Sequence, residues 1–150
     1  NGKKVVVDPK KKNFLAYKNV DVMKPNLKEL REGLKLDMPL EFSIESVQHA
    51  AKKLRQKLGL KTALITLSEN GIYIGSDQEQ HHIKAHIRDI YDVSGAGDTV
   101  IAVASLMLAS GAGIKLAAEV ANLGGGLVCE KVGVVPVDKQ RLLEEALKMA

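Results

Sequence analysis

The chain has 150 residues, a length that suits one domain with a sizeable core. Hydrophobic residues make up 45% of it and charged residues 27%, as in water-soluble globular proteins. The net charge of +4 is mild, and the few aromatic residues are three tyrosines and two phenylalanines, so nucleic-acid binding is disfavoured. The longest apolar stretch, Val100–Ala109, is too short to cross a membrane. The single cysteine, Cys129, excludes a disulfide framework and predicts a cytoplasmic location.

The first part of the chain alternates short apolar runs with helical patterns. Valine-rich runs that end before a proline predict buried strands. Apolar residues at helical spacing predict helices, and the longer helix has Ser43 as its N-cap and Gly59 as its stop. The predicted strands are Lys3–Val7 and Val20–Met23, and the predicted helices are Leu27–Leu36 and the segment from Ser43 to about Leu58.

A β-hairpin is predicted in the middle of the chain. The strand Thr62–Leu67 is followed by the turn pair Asn70-Gly71, which predicts a tight connection to Ile72–Gly75. Glu79–His86 is a further predicted strand.

Three helices are predicted in the last third of the chain, and no interdomain linker is evident. They are Thr99–Ser110, Ile114–Cys129 and a capped helix from Asp138 to about Lys148, with a short apolar segment Val132–Val137 before the last. Strands that alternate with helices predict an α/β fold with a mainly parallel sheet covered on both faces. Because the chain begins almost at once with a buried-type strand, we expect it to be the second half of a larger domain.

The most informative segment runs from Asp92 to Asp98 and reads Asp-Val-Ser-Gly-Ala-Gly-Asp. A glycine turn that opens into a helix directs free amide groups at an anion, typically a phosphate. A Walker A loop is excluded because Asp98, not lysine, follows Gly97. The Rossmann fingerprint is excluded because the sixth position from Gly95 is Val100. The carboxylate in the first helical turn suggests a catalytic base.

Asn26 and Glu29 have two interpretations. As N-cap and third helical residue they form a capping-box pattern, which the spacing alone favours. At the mouth of a parallel sheet, the same pair could organise Mg²⁺ and its waters near phosphates.

Two further segments could contact a nucleotide. Thr66, Ser68 and the backbone of Gly71 follow the central strand and could line its phosphates, although alone the signal is weak. Asn122 and the glycines Gly124–Gly126 interrupt a helical pattern at a cost of about 1 kcal/mol per glycine. Two causes explain these glycines equally well: close packing of another helix, or close approach of a flat ligand such as a purine.

Together these residues resemble the ribokinase-like (PfkB) family of carbohydrate kinases over essentially the whole chain. The segment Asp92–Asp98 is similar to that family's second signature, Asn26–Glu29 to its N-x-x-E motif, and Thr66–Gly71 to its nucleotide-binding turn. Three strings are most similar to bacterial D-glycero-β-D-manno-heptose 7-phosphate kinases of lipopolysaccharide-precursor synthesis: Val7–Lys10, Lys24–Asn26 and Tyr91–Thr99.

The resemblance implies a three-layer ribokinase-like fold with a mainly parallel sheet, of which residues 1–150 form the C-terminal portion. It implies MgATP-dependent phosphoryl transfer to a sugar hydroxyl, giving heptose 1,7-bisphosphate. The alternatives are a related kinase acting on ribose, fructose phosphate or a nucleoside, and a nucleotide-binding module without catalysis. ATP and the sugar phosphate would be the partners, and a homodimer of the full-length protein is compatible with the resemblance.

The resemblance also assigns the chemistry of the transfer. Asp98 would be the base that takes the hydroxyl proton, and the amides of Gly95, Ala96 and Gly97 would form the anion hole. Asp92 would lie at a monovalent-cation site, for K⁺.

Cofactor contacts are assigned in the same way. Asn26 and Glu29 would organise Mg²⁺ through water. The residues assigned to ATP are Thr66, Ser68 and Gly71 at its phosphates or ribose, and Asn122 and Gly126 near the adenine.

The sequence departs from the family pattern in three respects. Lys24 stands where a small hydroxyl residue often precedes the Pro-Asn pair, and Leu67 where heptose kinases often have arginine. The sugar-binding Gly-Gly motif and the β lid that precede this region in the family are absent. We therefore expect the 150-residue piece alone to bind ATP but scarcely to phosphorylate a sugar.

Overall fold

The computed structural model describes residues 2–37 and 42–149. The chain divides into two compact units, each of which is described by itself. The first unit comprises the residues up to Ser68 together with Ile72–His82, and it carries the sheet and two α-helices. The second comprises Glu69–Gly71 and the residues from Ile83 onward, and it carries three α-helices.

Five short strands form one mixed sheet. They are β1 (Val6–Val7), β2 (Val22–Met23), β3 (Thr62–Thr66), β4 (Ile72–Gly75) and β5 (Gln80–Ile83), and their order in space follows the chain. β1 pairs with β2 and β2 with β3 in parallel, whereas β3 and β4 are antiparallel. The parallel ladder places the carboxyl ends of β1, β2 and β3 at one edge of the sheet.

Two strands are shorter than the sequence predicts. β1 was expected over Lys3–Val7, but Val5 leaves the regular ladder: its carbonyl accepts from the amides of both Asp21 and Val22, and its own amide donates to the Asp21 carboxylate. β5 was expected over Glu79–His86 and covers only its middle. Strand ends of this kind are set by tertiary hydrogen bonds that composition does not reveal.

The predicted hairpin is confirmed, since β3 and β4 pair antiparallel, but its connection differs from a tight turn at Asn70-Gly71. β3 and β4 are joined through a 3-10 turn at Ser68–Asn70, in which Ser68 adopts a left-handed φ of 53°. Gly71 then has a φ of 85°, and a Cβ there would overlap the carbonyl oxygen of Ile83. A left-handed backbone and a close approach therefore both require glycine at this position.

Helices α1 (Leu27–Leu34) and α2 (Ile44–Leu58) pack beside the strands of the first unit. α1 ends two residues before the predicted Leu36 because Lys35 turns left-handed, with a φ of 52°. α2 agrees with the prediction at both ends: Ser43 caps it and Gly59 stops it in the left-handed conformation. The core of this unit is apolar and includes Met23, Leu30, Val47, Leu54, Leu58, Ala63, Ile65 and Tyr73.

The second unit contains α3 (Ala96–Ala109), α4 (Ile114–Cys129) and α5 (Lys139–Met149). α3 begins three residues before the predicted Thr99. α4 has the predicted bounds, and Gly124–Gly126 lie within the continuous helix. Cys129, the last residue of α4, is buried. Across residues 2–37 and 42–149, no helix is both long and apolar enough to cross a bilayer.

Candidate active site

The edge of the sheet where β2 and β3 end brings two predicted site residues together. Asn26 is the third residue after β2 and forms a parallel bridge with Thr66, the last residue of β3. The Thr66 amide donates to the Pro25 carbonyl at 3.2 Å, which fixes the register at this edge. Polar groups at the carboxyl ends of parallel strands lie where α/β proteins bind their ligands.

Asn26 and Glu29 form a complete capping box at the start of α1. The Glu29 amide donates to Asn26 Oδ1 at 2.8 Å, and the Asn26 amide donates to Glu29 Oε2 at 2.8 Å. The capping interpretation of this pair is therefore confirmed. Each side chain uses one oxygen in the box, so Glu29 Oε1 remains a donor atom of the hard, anionic type that Mg²⁺ prefers. The pair fits a water-bridged Mg²⁺ as well as a cap.

Lys24 occupies this edge in a way the sequence does not predict. Its side chain is 5% exposed, and its ammonium group lies 3.1 Å from the carboxylate of Asp8, which follows β1. The Lys24 amide donates to the Val7 carbonyl at 2.8 Å, so main chain and side chain both join the ends of β1 and β2. A buried lysine needs such a partner because an unpaired buried charge is costly.

Ser68 and Gly71 occupy the turn that follows β3. Ser68 is exposed, and its left-handed φ directs the chain away from the strand. Gly71 is buried, and its lack of a side chain is already explained by the approach of Ile83. Contact of either residue with a nucleotide stays a prediction.

The segment Asp92–Asp98 forms the N-terminus of α3, as the sequence indicates. Gly95 is the N-cap with a left-handed φ of 78°, a conformation that favours glycine. The Ala96 amide donates to the Val93 carbonyl at 3.2 Å. Within the described ranges, the amides of Gly95, Gly97 and Asp98 show no hydrogen-bond acceptor. These free donors and the helix dipole together favour an anion at this end of α3.

Asp98 is the third residue of α3 and is exposed to solvent. Its position in the first turn places a carboxylate beside the free amides of the same turn. An ionised carboxylate next to an anion-binding helix end has the two features that a base for phosphoryl transfer needs.

Asp92 stabilises the loop before α3. Its Oδ1 accepts the Ser94 amide at 2.9 Å and its Oδ2 accepts the Gly133 amide at 2.8 Å. Hydrogen bonds from the Ser94 side chain, and from the amides of Ser94 and Gly133, hold the pKa of Asp92 below its ordinary value. A role of Asp92 at a K⁺ site stays a prediction.

The α4 glycines pack against neighbouring side chains. A Cβ on Gly124 would lie 3.3 Å from Val103 Cγ2, and one on Gly125 would lie 2.8 Å from Val100 Cγ2, both on α3. At Gly126 the nearest atoms belong to Arg88, with its Nε at 3.2 Å. The packing-helix interpretation is therefore confirmed for the first two glycines.

Asn122 is buried on the same helix, 8% exposed. Its side-chain amide donates to the Lys84 carbonyl at 2.8 Å, which attaches the segment before the Asp92–Asp98 turn to α4. A role of Asn122 and Gly126 beside an adenine stays a prediction.

Sequence reasoning missed Arg88. Its side chain is 10% exposed and binds Glu130, after α4, with a nitrogen–oxygen distance of 2.6 Å, and also Glu145 on α5. Arg141 contacts the same two carboxylates. Hydrogen bonding from Arg88 holds the pKa values of Glu130 and Glu145 below their ordinary range. No motif marks these residues, since they are brought together only by the packing of three segments.

Within the described part of the chain, no cluster of three or more histidine, cysteine, aspartate or glutamate side chains could hold a metal.

The chain matches known kinases in sequence. The model of the pfkB family of carbohydrate kinases matches residues 1–140. A bifunctional protein HldE from Acidiphilium cryptum is 40% identical over 149 residues, covering 99% of this chain and 30% of the relative. An HldE from Paramagnetospirillum magneticum is 42% identical over 135 residues, covering 88% of this chain and 27% of the relative. The chain thus spans less than a third of the curated relatives that it matches.

Solved structures show the same fold. Phosphofructokinase-2 from Escherichia coli in complex with potassium has a TM-score of 0.86 at 18% identity, covering 97% of this chain and 47% of that one. Ribokinase from Thermotoga maritima has a TM-score of 0.77 at 20% identity, covering 99% and 50%. The fold is therefore ribokinase-like α/β, present as a partial domain. On the family match over most of its length, the chain belongs to the pfkB family of carbohydrate kinases.

Proposed function

We propose that this chain supplies the nucleotide-binding part and the catalytic base of a MgATP-dependent kinase that phosphorylates heptose 7-phosphate at its anomeric hydroxyl. The observation that carries the proposal is the N-terminus of α3, where free amides and the carboxylate of Asp98 occupy one helical turn. The family match and the HldE relatives, about 40% identical, support a sugar kinase. The resemblance of three strings in the sequence to heptose 7-phosphate kinases supports this acceptor.

In the proposed reaction, Asp98 accepts the proton of the acceptor hydroxyl as its oxygen bonds to the γ-phosphorus of ATP. The bond from that phosphorus to the β,γ-bridging oxygen breaks, and ADP leaves. The amides of Gly95 and Gly97 donate to the oxygens of the transferred group, where negative charge develops. Ala96 contributes to this anion hole only by sharing or releasing its bond to Val93.

The remaining proposed contacts are with metal ions and with the nucleotide. Asn26 and Glu29 would hold Mg²⁺ through water, and the ion supplies charge neutralisation between the phosphates. Thr66, Ser68 and Gly71 would contact the phosphates or ribose, and Asn122 and Gly126 the adenine. The proposal also includes a K⁺ ion at the Asp92 loop and a cytoplasmic location.

The test uses the intact gene product that carries this chain. ATP turnover is measured with heptose 7-phosphate, fructose 6-phosphate, ribose and adenosine, and the heptose phosphate should give the highest kcat/KM. Asp98→Asn should lower kcat by a factor of about 100 to 10,000, the usual contribution of a general base, while ATP still binds. Asp89→Asn, an exposed carboxylate in the preceding segment, is the control.

Undiminished turnover in Asp98→Asn would contradict the proposed base. Faster turnover of another acceptor would assign the protein to a different kinase of the family. Binding of ATP with no turnover of any acceptor would support a nucleotide-binding module instead. The 150-residue piece, assayed in parallel, should bind ATP with little or no sugar phosphorylation, and normal efficiency there would contradict that expectation.

A further inference from the structure

At Gly125, α4 lies very close to α3. A Cβ on this residue would lie 2.8 Å from Val100 Cγ2 and 3.6 Å from the carbonyl oxygen of Ala96. Carbon atoms normally pack about 3.5–4.0 Å apart, so only a hydrogen fits between α4 and Val100. Val100 is 5% exposed and β-branched, which leaves it little freedom to turn away.

This contact bears on the part of α3 that carries the anion-binding groups. The Ala96 carbonyl and the Gly97 amide belong to one peptide group, and a peptide group is planar and moves as a unit. Gly97 has a free amide, and Asp98 is the next residue. A displacement of the Ala96 carbonyl or of Val100 therefore changes the direction of the Gly97 amide and the position of Asp98.

The neighbouring glycine provides a natural comparison. A Cβ on Gly124 would lie 3.3 Å from Val103 Cγ2 and 3.6 Å from Thr99 Cγ2, with Leu142 Cδ1 at 3.8 Å. Those contacts are looser, and they involve side-chain methyl groups rather than the main chain of the first turn. Gly124 and Gly125 are thus both glycines of α4, but only Gly125 faces the Ala96–Gly97 peptide.

We propose that Gly125 is a positioning residue: by allowing α4 to contact the first turn of α3, it sets the orientation of the Gly97 amide and of Asp98. The inference rests on the proposed phosphoryl transfer. A glycine in the middle of α4 lowers the stability of the helix. The proposal explains its presence by the geometry of the site as well as by packing. Gly125 touches neither nucleotide nor sugar in this proposal.

The experiment changes the two residues that meet at this contact, Gly125 and Val100, in the intact gene product. Gly125→Ala should lower kcat by about tenfold or more, since displacements of about 1 Å at a reacting centre cost up to a hundredfold. The KM for ATP should change less, because the anion hole acts mainly on the transition state. Val100→Ala removes the opposing methyl, so Val100→Ala/Gly125→Ala should recover most of the lost kcat.

Gly124→Ala is the matched control and should leave kcat within about twofold, because its Cβ would meet only side-chain methyl groups. Turnover in the wild type with an unchanged kcat in Gly125→Ala would overturn the inference. An equal loss of kcat in Gly124→Ala, or no recovery in the double variant, would overturn it too. If Gly125→Ala alone does not fold, the inference requires that Val100→Ala/Gly125→Ala match or exceed the kcat of Val100→Ala. No turnover in the wild type overturns the proposed function, and the inference with it.

Discussion

The carboxylate of Asp8 and the ammonium group of Lys24 form a largely buried ion pair, 3.1 Å apart, that joins the ends of β1 and β2. Each strand has only two residues in the ladder, so the sheet offers few hydrogen bonds of its own at this edge. The ion pair therefore supplements a short parallel ladder beside Asn26, the residue proposed to organise Mg²⁺.

Removing one partner of this pair should destabilise the protein strongly. We expect Asp8→Asn to lower the free energy of unfolding by on the order of 3 kcal/mol, because it leaves the Lys24 charge buried without a counter-ion. Lys10 also lies near Asp8, at 3.7 Å, but its side chain is 75% exposed. Lys10→Met should therefore change the free energy of unfolding by no more than about 0.5 kcal/mol, measured by urea denaturation. Equal effects of both substitutions would contradict the assignment.

Asp92 predicts a pH dependence of stability. Its pKa is lower in the folded protein than in the unfolded chain, because amides and the Ser94 side chain donate to the carboxylate. The folded state is therefore stabilised at any pH above the unfolded pKa, about 3.9, and loses that contribution as the pH falls through the lower folded pKa. The melting temperature of wild type should drop more steeply than that of Asp92→Asn as the pH is lowered below about 4.

Asp89→Asn serves as the control for this titration, since Asp89 is exposed in the same segment. Its melting temperature should follow the wild-type curve throughout the acid range. Parallel curves for wild type and Asp92→Asn would show that the bonds to Ser94 and Gly133 do not stabilise the fold.

Two substitutions of Asn26 separate its roles as cap and as Mg²⁺ ligand. Asn26→Ser keeps an N-cap acceptor, so the melting temperature should be retained, whereas Asn26→Ala should cost about 1 kcal/mol of stability. If Asn26 also organises Mg²⁺, Asn26→Ser should raise the Mg²⁺ concentration needed for half-maximal turnover. A normal Mg²⁺ requirement in a stable Asn26→Ser protein would leave the residue with its capping role alone.

Gly71 and Gly111 allow the cost of backbone strain to be measured separately from the cost of steric overlap. Both have a positive φ, 85° and 92°, but a Cβ on Gly111 would meet no atom within 4 Å, whereas one on Gly71 would overlap the Ile83 carbonyl. Gly111→Ala should thus cost about 1–2 kcal/mol for the backbone conformation alone. Gly71→Ala should cost clearly more, in chemical denaturation followed by circular dichroism. Equal costs would mean that the Ile83 segment moves aside freely.

Local sequence signals located most of the elements and failed where long-range contacts decide. Ser43 and Gly59 mark the limits of α2 because caps and stops act on adjacent residues. The start of α3 was placed too late because two glycines, Gly95 and Gly97, disfavour a helix on propensity alone. In the structure Gly95 is the cap, and the helix already includes Gly97.

The candidate site could be predicted in part from the sequence, because some of its features are local motifs. The capping box and the anion-binding turn are local motifs, so spacing alone indicated them. The ion pair of Lys24, the approach of Gly125 to Val100 and the contacts of Arg88 join residues far apart in sequence. A single sequence does not show which distant residues meet.

The charged cluster around Arg88 has a consequence for the order in which the second unit opens. α5 buries no residue fully, and ion pairs among Arg88, Arg141, Glu130 and Glu145 contribute to its attachment. The contact of α3 with α4 is apolar, and hydrophobic contacts do not weaken with salt as ion pairs do. High ionic strength should therefore release α5 first, as a separate unit of local unfolding, and expose the end of the chain to proteases before the helix that bears Asp98 is disturbed.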